Sequence, residues 1–486
     1  MKKKIFILFA VAFASVMSSC NDYLDVNTDP NNPTSADPYL ILPVAQNYTA
    51  RWMHSDRRVS HLGNMLMYNW SESAGFSWYN DEFLYQVNTN FYGGIFNDAY
   101  LRALKQYALL DSYDPEVYGA YVAIGKIMKS YTFQILTDFY GDIPYFDALQ
   151  RSNNPSPKYD AASEIYDDLI IQLTEAIAMI DAAEANATSI FPEGDDMIFG
   201  GDMLMWKQFA NTIKVRILNR VASAKGDAYV NTELAAIAAE GSGFITSNVV
   251  ITPDGGYLNE EDKQNPFWED FGANVAGSPT LSGQATCASD FMIQLLQDNA
   301  DSRIDYLFEQ PATGHLGVPQ GITADPAVYA PSLVSNIGPA LLQGPEQGSI
   351  IFTLAEHNFN MAELALNGFG GDPQTFYEAG VTAAFNTLGA PIGSYLNQPF
   401  ANYVAASDKL EVIITQKWLA VQGLTAEQSW FDHTRTGYPS DLPISQEAPN
   451  LVRPVRLLYP ASETSGNSAN IPAQANPFTD KQFWAN

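Results

Sequence analysis

The chain has 486 residues, of which 54 are Asp or Glu and 25 are Lys or Arg, so its formal net charge at pH 7 is −29. Such an acidic surface repels phosphate groups, which excludes nucleic-acid binding and polybasic docking to anionic lipid. A hydrophobic fraction of 46% over this length excludes a disordered chain and predicts a large core built from several packed subregions.

The first twenty residues predict export and anchoring. Three lysines precede the uncharged apolar stretch at residues 5–17, which is shorter than the roughly 18 to 20 residues of a membrane span. This pattern is typical of a signal peptide, here residues 1–19. Ser18, Ser19 and Cys20 resemble the lipobox of bacterial lipoproteins, so we expect acyl chains such as palmitate on Cys20. The alternative is an ordinary secretory signal with an incidental cysteine. If Cys20 is acylated, Cys287 has no cysteine to pair with.

Helices are predicted for most of the remaining chain. Residues 20–37 are rich in Asn, Asp and Pro and predict an irregular tether, followed by one mostly α body over residues 38–486. Apolar residues spaced three and four apart, together with capping residues, define the helices. They are expected at 38–68, where Pro43 should break or kink the first turns, and at 115–139, 161–180, 202–225, 289–299, 353–367, 373–388 and 410–421, with a short one after Thr425. Residues 249–252 predict a short strand. The helix-turn-helix at 353–388 is about as long as the 34-residue tetratricopeptide repeat.

Two polar loops carry aromatic rings and are the candidate ligand-binding segments. A sugar presents an apolar face that stacks on an aromatic ring and hydroxyls that need amide and carboxylate partners, and an extended peptide can use the same groups. The candidate residues are Asn69, Trp70, Trp78, Tyr79 and Asn80 in the first loop, and Asn265, Phe267 and Trp268 in the second. The alternative is that these rings fill gaps between helices.

The sequence lacks the common catalytic and metal-binding motifs, which argues against an enzyme. The five histidines form no HExxH pattern, and the sequence has no Gly-x-Ser-x-Gly elbow, P-loop or dinucleotide fingerprint. A glycan-degrading enzyme is the main rival hypothesis, because such enzymes use a pair of carboxylates and this chain has many. The sequence does not show which carboxylates would form the pair. Asp195, Asp196 and Asp202 offer oxygens for calcium but lack the EF-hand spacing, so a solvated acidic loop is the favoured interpretation. We therefore expect no catalytic activity and no cofactor. A purely structural surface lipoprotein is a third possibility.

Short motifs are distributed along almost the whole chain in a characteristic order. They are NDYLDVN (21–27), TDFYGDIPY (137–145), PKYD (157–160) with Ile165 and Tyr166, WKQFAN (206–211), Ala355-Glu356 with Ala362-Glu363, QKW (416–418), WFD (430–432), RTGYP (435–439) and RLLYP (456–460). Together with the lipobox, they resemble the SusD/RagB family of outer-membrane nutrient-binding lipoproteins of Bacteroidetes, in particular its SusD-like second branch.

The resemblance implies a fold, a function and a partner. The implied fold is a single mostly helical body with tetratricopeptide-like helix pairs. The implied function is capture of an oligomeric nutrient, usually a glycan, at the exterior face of the outer membrane, with a peptide as the alternative ligand. The implied partner is a SusC-like TonB-dependent transporter, on which the body lies as a lid.

The arginines of the matched motifs are expected to have a structural role. In an acidic body, arginines within helices more often pair with carboxylates of neighbouring helices than bind external anions. We expect such pairs to lock helices together, formed by Arg216, Arg220, Arg435 and Arg456 with acids such as Glu363 and Asp432.

Overall fold

A computed structural model describes residues 36–449 and 451–485. The expected signal peptide, Cys20 and the tether up to residue 35 lie outside these ranges. The α-helices are α1 Pro38–His54, α2 Val59–Leu66, α3 Asn80–Phe83, α4 Gly93–Asp98, α5 Lys105–Leu110, α6 Pro115–Tyr140, α7 Ala162–Ala185, α8 Met203–Lys225, α9 Asp227–Glu240, α10 Pro266–Phe271, α11 Leu281–Ala285, α12 Asp290–Asp298, α13 Ile304–Leu307, α14 Pro326–Tyr329, α15 Leu354–Leu366, α16 Pro373–Leu388, α17 Lys409–Val421, α18 Glu427–Thr436 and α19 Ala461–Gly466. A π-helix spans Ala99–Leu104, and 3₁₀ turns span Arg151–Asn153, Tyr395–Asn397 and Phe483–Ala485. The strands are β1 Trp70–Glu72, β2 Val249–Ile251, β3 Thr286–Ala288 and β4 Ser349–Phe352.

The long central helices begin and end where their capping residues predict. The Asp114 carboxylate accepts a hydrogen bond from Glu116 N at 3.0 Å at the start of α6, and Asp202 accepts one from Met205 N at 3.1 Å at the start of α8. Gly226 follows α8 with a φ of 79°, a conformation that favours glycine. Helix α7 packs against both α6 and α8, so the predicted helical core is confirmed.

Two helix predictions were wrong. Pro43 does not break the first helix, because it lies in the second turn of α1 and removes only one backbone hydrogen bond near the helix start. The interruption occurs instead after His54, where residues 55–58 turn the chain into α2. Helix α9 was missed, because Val230 and Ile237 are its only buried apolar side chains and leave almost no periodic pattern.

The predicted hairpin at 353–388 is confirmed as α15 and α16, which pack against each other. Thr353 caps α15 by accepting from Glu356 N at 3.0 Å. The two helices approach closely at Gly380, where an added Cβ would lie 3.0 Å from the Phe359 ring. Phe359 in turn meets Tyr377 edge to face, with 6.0 Å between ring centroids. A small residue therefore sets the spacing of this helix pair.

Two short antiparallel sheets tie distant loops to the helical body. Strand β2, which was predicted, pairs with β4 in the register Val249 to Phe352. Strand β1 pairs with β3, with Trp70 opposite Ala288. The sequence predicted a loop for residues 69–90, so β1 is a correction. Its three residues are all buried and show no alternation that would reveal a strand.

A buried network of charged side chains joins α8, α15, α17 and α18. Asp432 Oδ1 lies 3.0 Å from Arg220 Nη1 and 3.1 Å from Arg435 Nη2, and its Oδ2 lies 2.6 Å from Lys417 Nζ. Arg435 also makes a bidentate pair with Glu363 at 2.5 and 2.9 Å. We call these five residues the charged core. The predicted role of Arg220 and Arg435 as links between helices is confirmed.

Arg216 and Arg456 complete the set of predicted arginine contacts. Arg216 Nε donates to Gln134 Oε1 at 2.7 Å, and its Nη1 lies 3.5 Å from Glu356. Arg456 donates to the Tyr140 carbonyl at the end of α6, so its partner is a backbone oxygen rather than the predicted carboxylate. A main-chain acceptor cannot be recognised from residue type.

Candidate ligand-binding face

The turn between α1 and α2 contacts both ring-bearing segments. Arg57 Nη2 donates to the Trp78 carbonyl at 2.6 Å, and Asp56 N donates to Asp270 Oδ2 in α10 at 2.8 Å. Because Asp56 and Arg57 are consecutive, the Trp78 loop and the Trp268 helix meet at one turn. Arg57 has a φ of 52°, a left-handed conformation that is uncommon for a residue with a side chain and is enriched at functional sites.

The Trp78 loop is closed by a buried carboxylate. Glu72 Oε1, at the end of β1, accepts hydrogen bonds from Trp78 N at 2.6 Å and Tyr79 N at 3.2 Å. Burial raises the pKa of the Glu72 carboxyl, and these two amide donors oppose that rise. The half-buried Trp78 indole meets the half-buried Phe76 ring edge to face, with 5.4 Å between centroids. The loop thus holds an indole at the surface in a defined position.

Trp268 is positioned by a capped helix and a glycine. The Asn265 side-chain oxygen accepts from Phe267 N at 2.9 Å and Trp268 N at 3.1 Å, which caps α10. The Trp268 indole lies against the backbone at Gly272, where an added Cβ would be 2.5 Å from the indole Cδ2. The indole is half-buried, so part of it faces solvent.

Three of the predicted binding rings lie in the core. Trp70 is 1% exposed and packs against His61 and Phe271, with centroids 5.8 and 5.7 Å apart. Phe267 is also buried, and Tyr79 is fully buried with its hydroxyl 2.8 Å from Thr286 Oγ1. In this structure these rings fill space between the two segments, as the alternative interpretation predicted for them.

The predicted amides divide in the same way. Asn69 is fully buried and its side-chain oxygen accepts from Trp418 Nε1 at 2.7 Å. Asn265 is fully buried as well, and its amide nitrogen donates to Gln347 O and Ser349 Oγ, both at 2.9 Å. Asn80 is exposed at the start of α3. Only Asn80 among the predicted amides therefore faces solvent.

The sequence analysis missed charged groups that contact the Trp78 loop and α10. Arg57 lies 3.7 Å from Glu82, and its guanidinium carbon is 5.8 Å from the centre of the Tyr79 ring. Burial raises the pKa of Glu82 to about 7 and also raises the pKa of Asp270. The available signal was the polar run Ser55 to Arg58, which interrupts an apolar helical pattern. Asp56, Arg57, Trp78, Asn80, Trp268 and Asp270 form the candidate site, which we call the ligand-binding face after the role proposed for it below.

The suggested calcium loop is occupied by internal hydrogen bonds. Asp196 is buried and accepts from Gln46 Nε2 and Trp206 Nε1, each at 2.7 Å, and from the Gly201 amide at 3.0 Å. Asp202 caps α8. Asp196 is therefore a structural residue rather than part of a solvated loop. Across the described residues, no three His, Cys, Asp or Glu side chains are grouped as metal ligands.

The geometry of the ligand-binding face suits binding by contact. Trp78 and Trp268 supply partly exposed indoles, while Arg57, Asn80 and Asp270, on the same two segments and the turn that joins them, supply donors and acceptors. This is the mixture that fixes a polyhydroxylated ligand by stacking and edge hydrogen bonds.

None of the helices within residues 36–449 and 451–485 is both long and apolar enough to cross a membrane.

Comparison with solved structures supports the fold over nearly the full chain. A chitin-binding protein superimposes with a TM-score of 0.75 at 24% identity, covering 92% of this chain and 100% of that one. A chitin-binding SusD homolog from Flavobacterium johnsoniae gives a TM-score of 0.74 at 23% identity, with coverages of 92% and 98%. A SusD homolog from Bacteroides thetaiotaomicron gives 0.72 at 21% identity, with coverages of 93% and 99%. No curated protein matches by sequence.

A family match identifies the chain's relationships. Residues 30–460 match the SusD-like family, whose description is starch-binding and associating with the outer membrane. This range includes the helical core, the charged core and the ligand-binding face. It also includes eight of the nine sequence motifs quoted above, all except NDYLDVN at residues 21–27. The chain therefore belongs to the SusD-like family of proteins associated with the outer membrane.

Proposed function

We propose that this protein is a non-catalytic receptor that captures an oligosaccharide at the cell surface and delivers it to a SusC-like TonB-dependent transporter. The observation that carries the proposal is the Asp56–Arg57 turn, which contacts both the Trp78 loop and α10. Membership of a family described as starch-binding and the fold shared with chitin-binding proteins support a glycan as the ligand.

In this proposal Trp78 and Trp268 stack on sugar rings while Arg57, Asn80 and Asp270 bond to hydroxyls. The buried members of the predicted set support the site indirectly, by holding the two segments in place. They are Asn69, Trp70, Tyr79, Asn265 and Phe267. Binding requires no chemical step, and transfer to the transporter releases the ligand.

The test is calorimetric titration of the body from residue 21 onward with chitohexaose, maltohexaose, cellohexaose and a set of oligopeptides. We expect saturable binding of at least one oligosaccharide without a change in its length. Trp78→Ala and Trp268→Ala should each weaken binding about tenfold, which corresponds to about 1.4 kcal/mol. Tyr39→Ala is the matched control, since Tyr39 is a ring that is 50% exposed outside the ligand-binding face.

Other outcomes of the titration would redirect the proposal. Binding of oligopeptides alone would replace the glycan with a peptide ligand. Shortened products would establish the glycan-degrading enzyme instead. Unchanged affinity in both tryptophan variants would contradict the assignment of the site.

We further propose that Cys20 carries the lipid anchor and that the body faces the cell exterior. The lipobox-like residues before Cys20 and the outer-membrane association of the family support this. Cys20→Ala should abolish palmitate labelling and release the protein from the outer-membrane fraction. Isolation of the wild-type protein in mild detergent should recover a TonB-dependent barrel with it, and recovery without any barrel would contradict the transporter partnership.

A further inference from the structure

A second cleft lies between α6, α7 and the loop that follows α6, and it uses none of the residues of the ligand-binding face. Its volume is about 360 Å³, which is within the range of ligand pockets in proteins. The side chains that define it are Lys126, Lys129, Tyr145, Phe146, Asp168 and Gln172. We call this space the Lys126 cleft.

The polar groups of the Lys126 cleft are held in place but retain bonding capacity. Lys126 Nζ donates to Gln172 Oε1 at 2.6 Å and to Glu175 Oε2 at 3.0 Å. The Tyr145 hydroxyl donates to Asp168 Oδ2 at 2.6 Å. An ammonium group has three donors and a carboxylate about four acceptor positions, so Lys126 and Asp168 have bonds left for ligand hydroxyls.

One side of the cleft carries an exposed aromatic ring on a rigid support. Phe146 is 48% exposed, although its backbone nitrogen is fixed by a hydrogen bond to Asp160 Oδ2 at 2.8 Å. Its ring meets Tyr145 edge to face at 4.9 Å, and Tyr145 meets the buried Phe133 at 4.8 Å. A ring whose backbone is fixed and which packs on one neighbour loses less conformational entropy when a ligand stacks on it than a ring on a free loop would.

The charges and walls of the cleft distinguish between ligand classes. Two lysines face three carboxylates, of Asp111, Asp168 and Glu175, so the local charge gives no advantage to an anionic ligand. The walls are helices α6 and α7, whose backbone groups are bonded within each helix. An extended peptide therefore finds no strand edge to pair with.

We propose that the Lys126 cleft is a second saccharide-binding site, specific for a neutral oligosaccharide. One sugar stacks on Phe146 while its hydroxyls bond to Lys126 and Asp168. A larger cavity of about 680 Å³ also borders Ala148 and Leu149, on the other side of the same loop. This cavity gives space for further sugars of the same chain. Leu149 has a φ of 64°, a strained conformation of the kind found in binding loops.

The experiment isolates the cleft from the ligand-binding face. Chitohexaose, maltohexaose and cellohexaose are titrated by calorimetry into the Trp78→Ala/Trp268→Ala double variant of the full body. We expect one of the three to bind this variant with a stoichiometry of one. Adding Phe146→Ala should weaken that binding at least tenfold, and adding Lys126→Met should weaken it about fivefold. Val404→Ala, at a residue that is 69% exposed, is the control for loss of a surface apolar side chain.

The two proposals fail in different ways. Absence of binding to the double variant by all three oligosaccharides would overturn the second site while leaving the first intact. Residual binding that is unchanged by both Phe146→Ala and Lys126→Met would also overturn it. If wild-type binding is insensitive to Trp78→Ala/Trp268→Ala but is lost in Phe146→Ala, the cleft is supported and the ligand-binding face is not. Thermal unfolding of each variant verifies that folding is retained.

Discussion

Charged side chains have opposite environments in the charged core and the ligand-binding face. In the charged core, Asp432 is surrounded by Lys417, Arg220 and Arg435 at 2.6 to 3.1 Å; Arg435 is 12% exposed and the side chains of the other three are at most 2% exposed. On the ligand-binding face, Arg57 is 46% exposed and its nearest carboxylate, on Glu82, is 3.7 Å away. Buried charges are tolerated only when they are paired, and in this network each cation pairs with a carboxylate of the protein itself. A loosely paired arginine at the surface keeps donors available.

The largest effect is expected from breaking the charged core. Although burial raises the pKa of Asp432, its three cationic neighbours hold it below the ordinary value. Asp432→Ala leaves those cations buried without their shared partner, and we expect a loss of about 3–5 kcal/mol in the free energy of unfolding. Urea denaturation measures this loss. Asp181→Ala is the control, because Asp181 is 56% exposed and its pair with Lys207 should contribute less than about 1 kcal/mol.

A second buried carboxylate, that of Glu427, should make the stability depend on pH. Burial raises the pKa of Glu427 to about 8, so the folded state binds its proton more tightly than the unfolded chain does. The stabilisation of the folded state by this bound proton is complete below the ordinary carboxyl pKa of 4.5 and is lost as the pH rises through about 8. Between pH 5 and 9, the free energy of unfolding should therefore fall by roughly 2–4 kcal/mol less in Glu427→Gln than in the wild type.

Thermal unfolding at several pH values measures that difference. The burial-raised pKa of Glu82 acts in the same direction, so Glu427→Gln should flatten the profile without abolishing its slope. Glu260→Gln serves as the control, because Glu260 is 58% exposed. A profile for Glu427→Gln that is parallel to the wild-type profile would contradict the assignment.

On the ligand-binding face, steric displacement of one indole should affect binding more than stability. A methyl group at Gly272 would lie 2.5 Å from the Trp268 indole, so Gly272→Ala must move the ring. We expect about a tenfold loss of oligosaccharide affinity, equal to about 1.4 kcal/mol. Gly466→Ala is the matched control, since nothing lies within 4 Å of a Cβ there. Equal affinities for the two variants would show that the position of Trp268 is irrelevant.

The smallest effect is expected from Arg57→Ala. The substitution removes a donor from the ligand-binding face and the bond to the Trp78 carbonyl, and we expect about a fivefold loss of affinity. The free energy of unfolding should change by less than about 1 kcal/mol, as for other exposed ion pairs. Calorimetric titration and urea denaturation test the two expectations separately. A stability loss similar to that of Asp432→Ala would erase the distinction between the two regions.

The sequence predicted the elements that depend on local rules. Helices α6, α8 and α16 are marked by apolar periodicity and by the capping residues Asp114, Asp202 and Asp372. Pro43 misled the prediction because its effect depends on how close it lies to the helix start. Strand β1 was missed because a three-residue strand is defined by its partner β3, more than 200 residues later in the chain.

The candidate site was predicted only in part, because the exposure of a side chain also depends on partners that are distant in the sequence. The two segments were identified, but residue type alone does not distinguish the exposed Trp78 from the buried Trp70, which His61 and Phe271 cover. Asn265 carried a readable signal that was not used, since Asn followed by Pro is typical of a helix start. Arg57 lies in the polar run Ser55 to Arg58, which was the available sequence signal, but its contact with the Trp78 loop depends on the turn that the fold imposes.

The anchoring of the Trp78 loop has a consequence for how binding specificity can diversify. Glu72 and Tyr79 fix the two ends of the loop from below, through the Trp78 and Tyr79 amides and the Thr286 hydroxyl. Residues 75–78 between them have no fully buried side chain. New residues can replace this short tip without disturbing the packing beneath it. Under the proposed function, substitutions at this tip would change ligand specificity while the fold beneath it is retained.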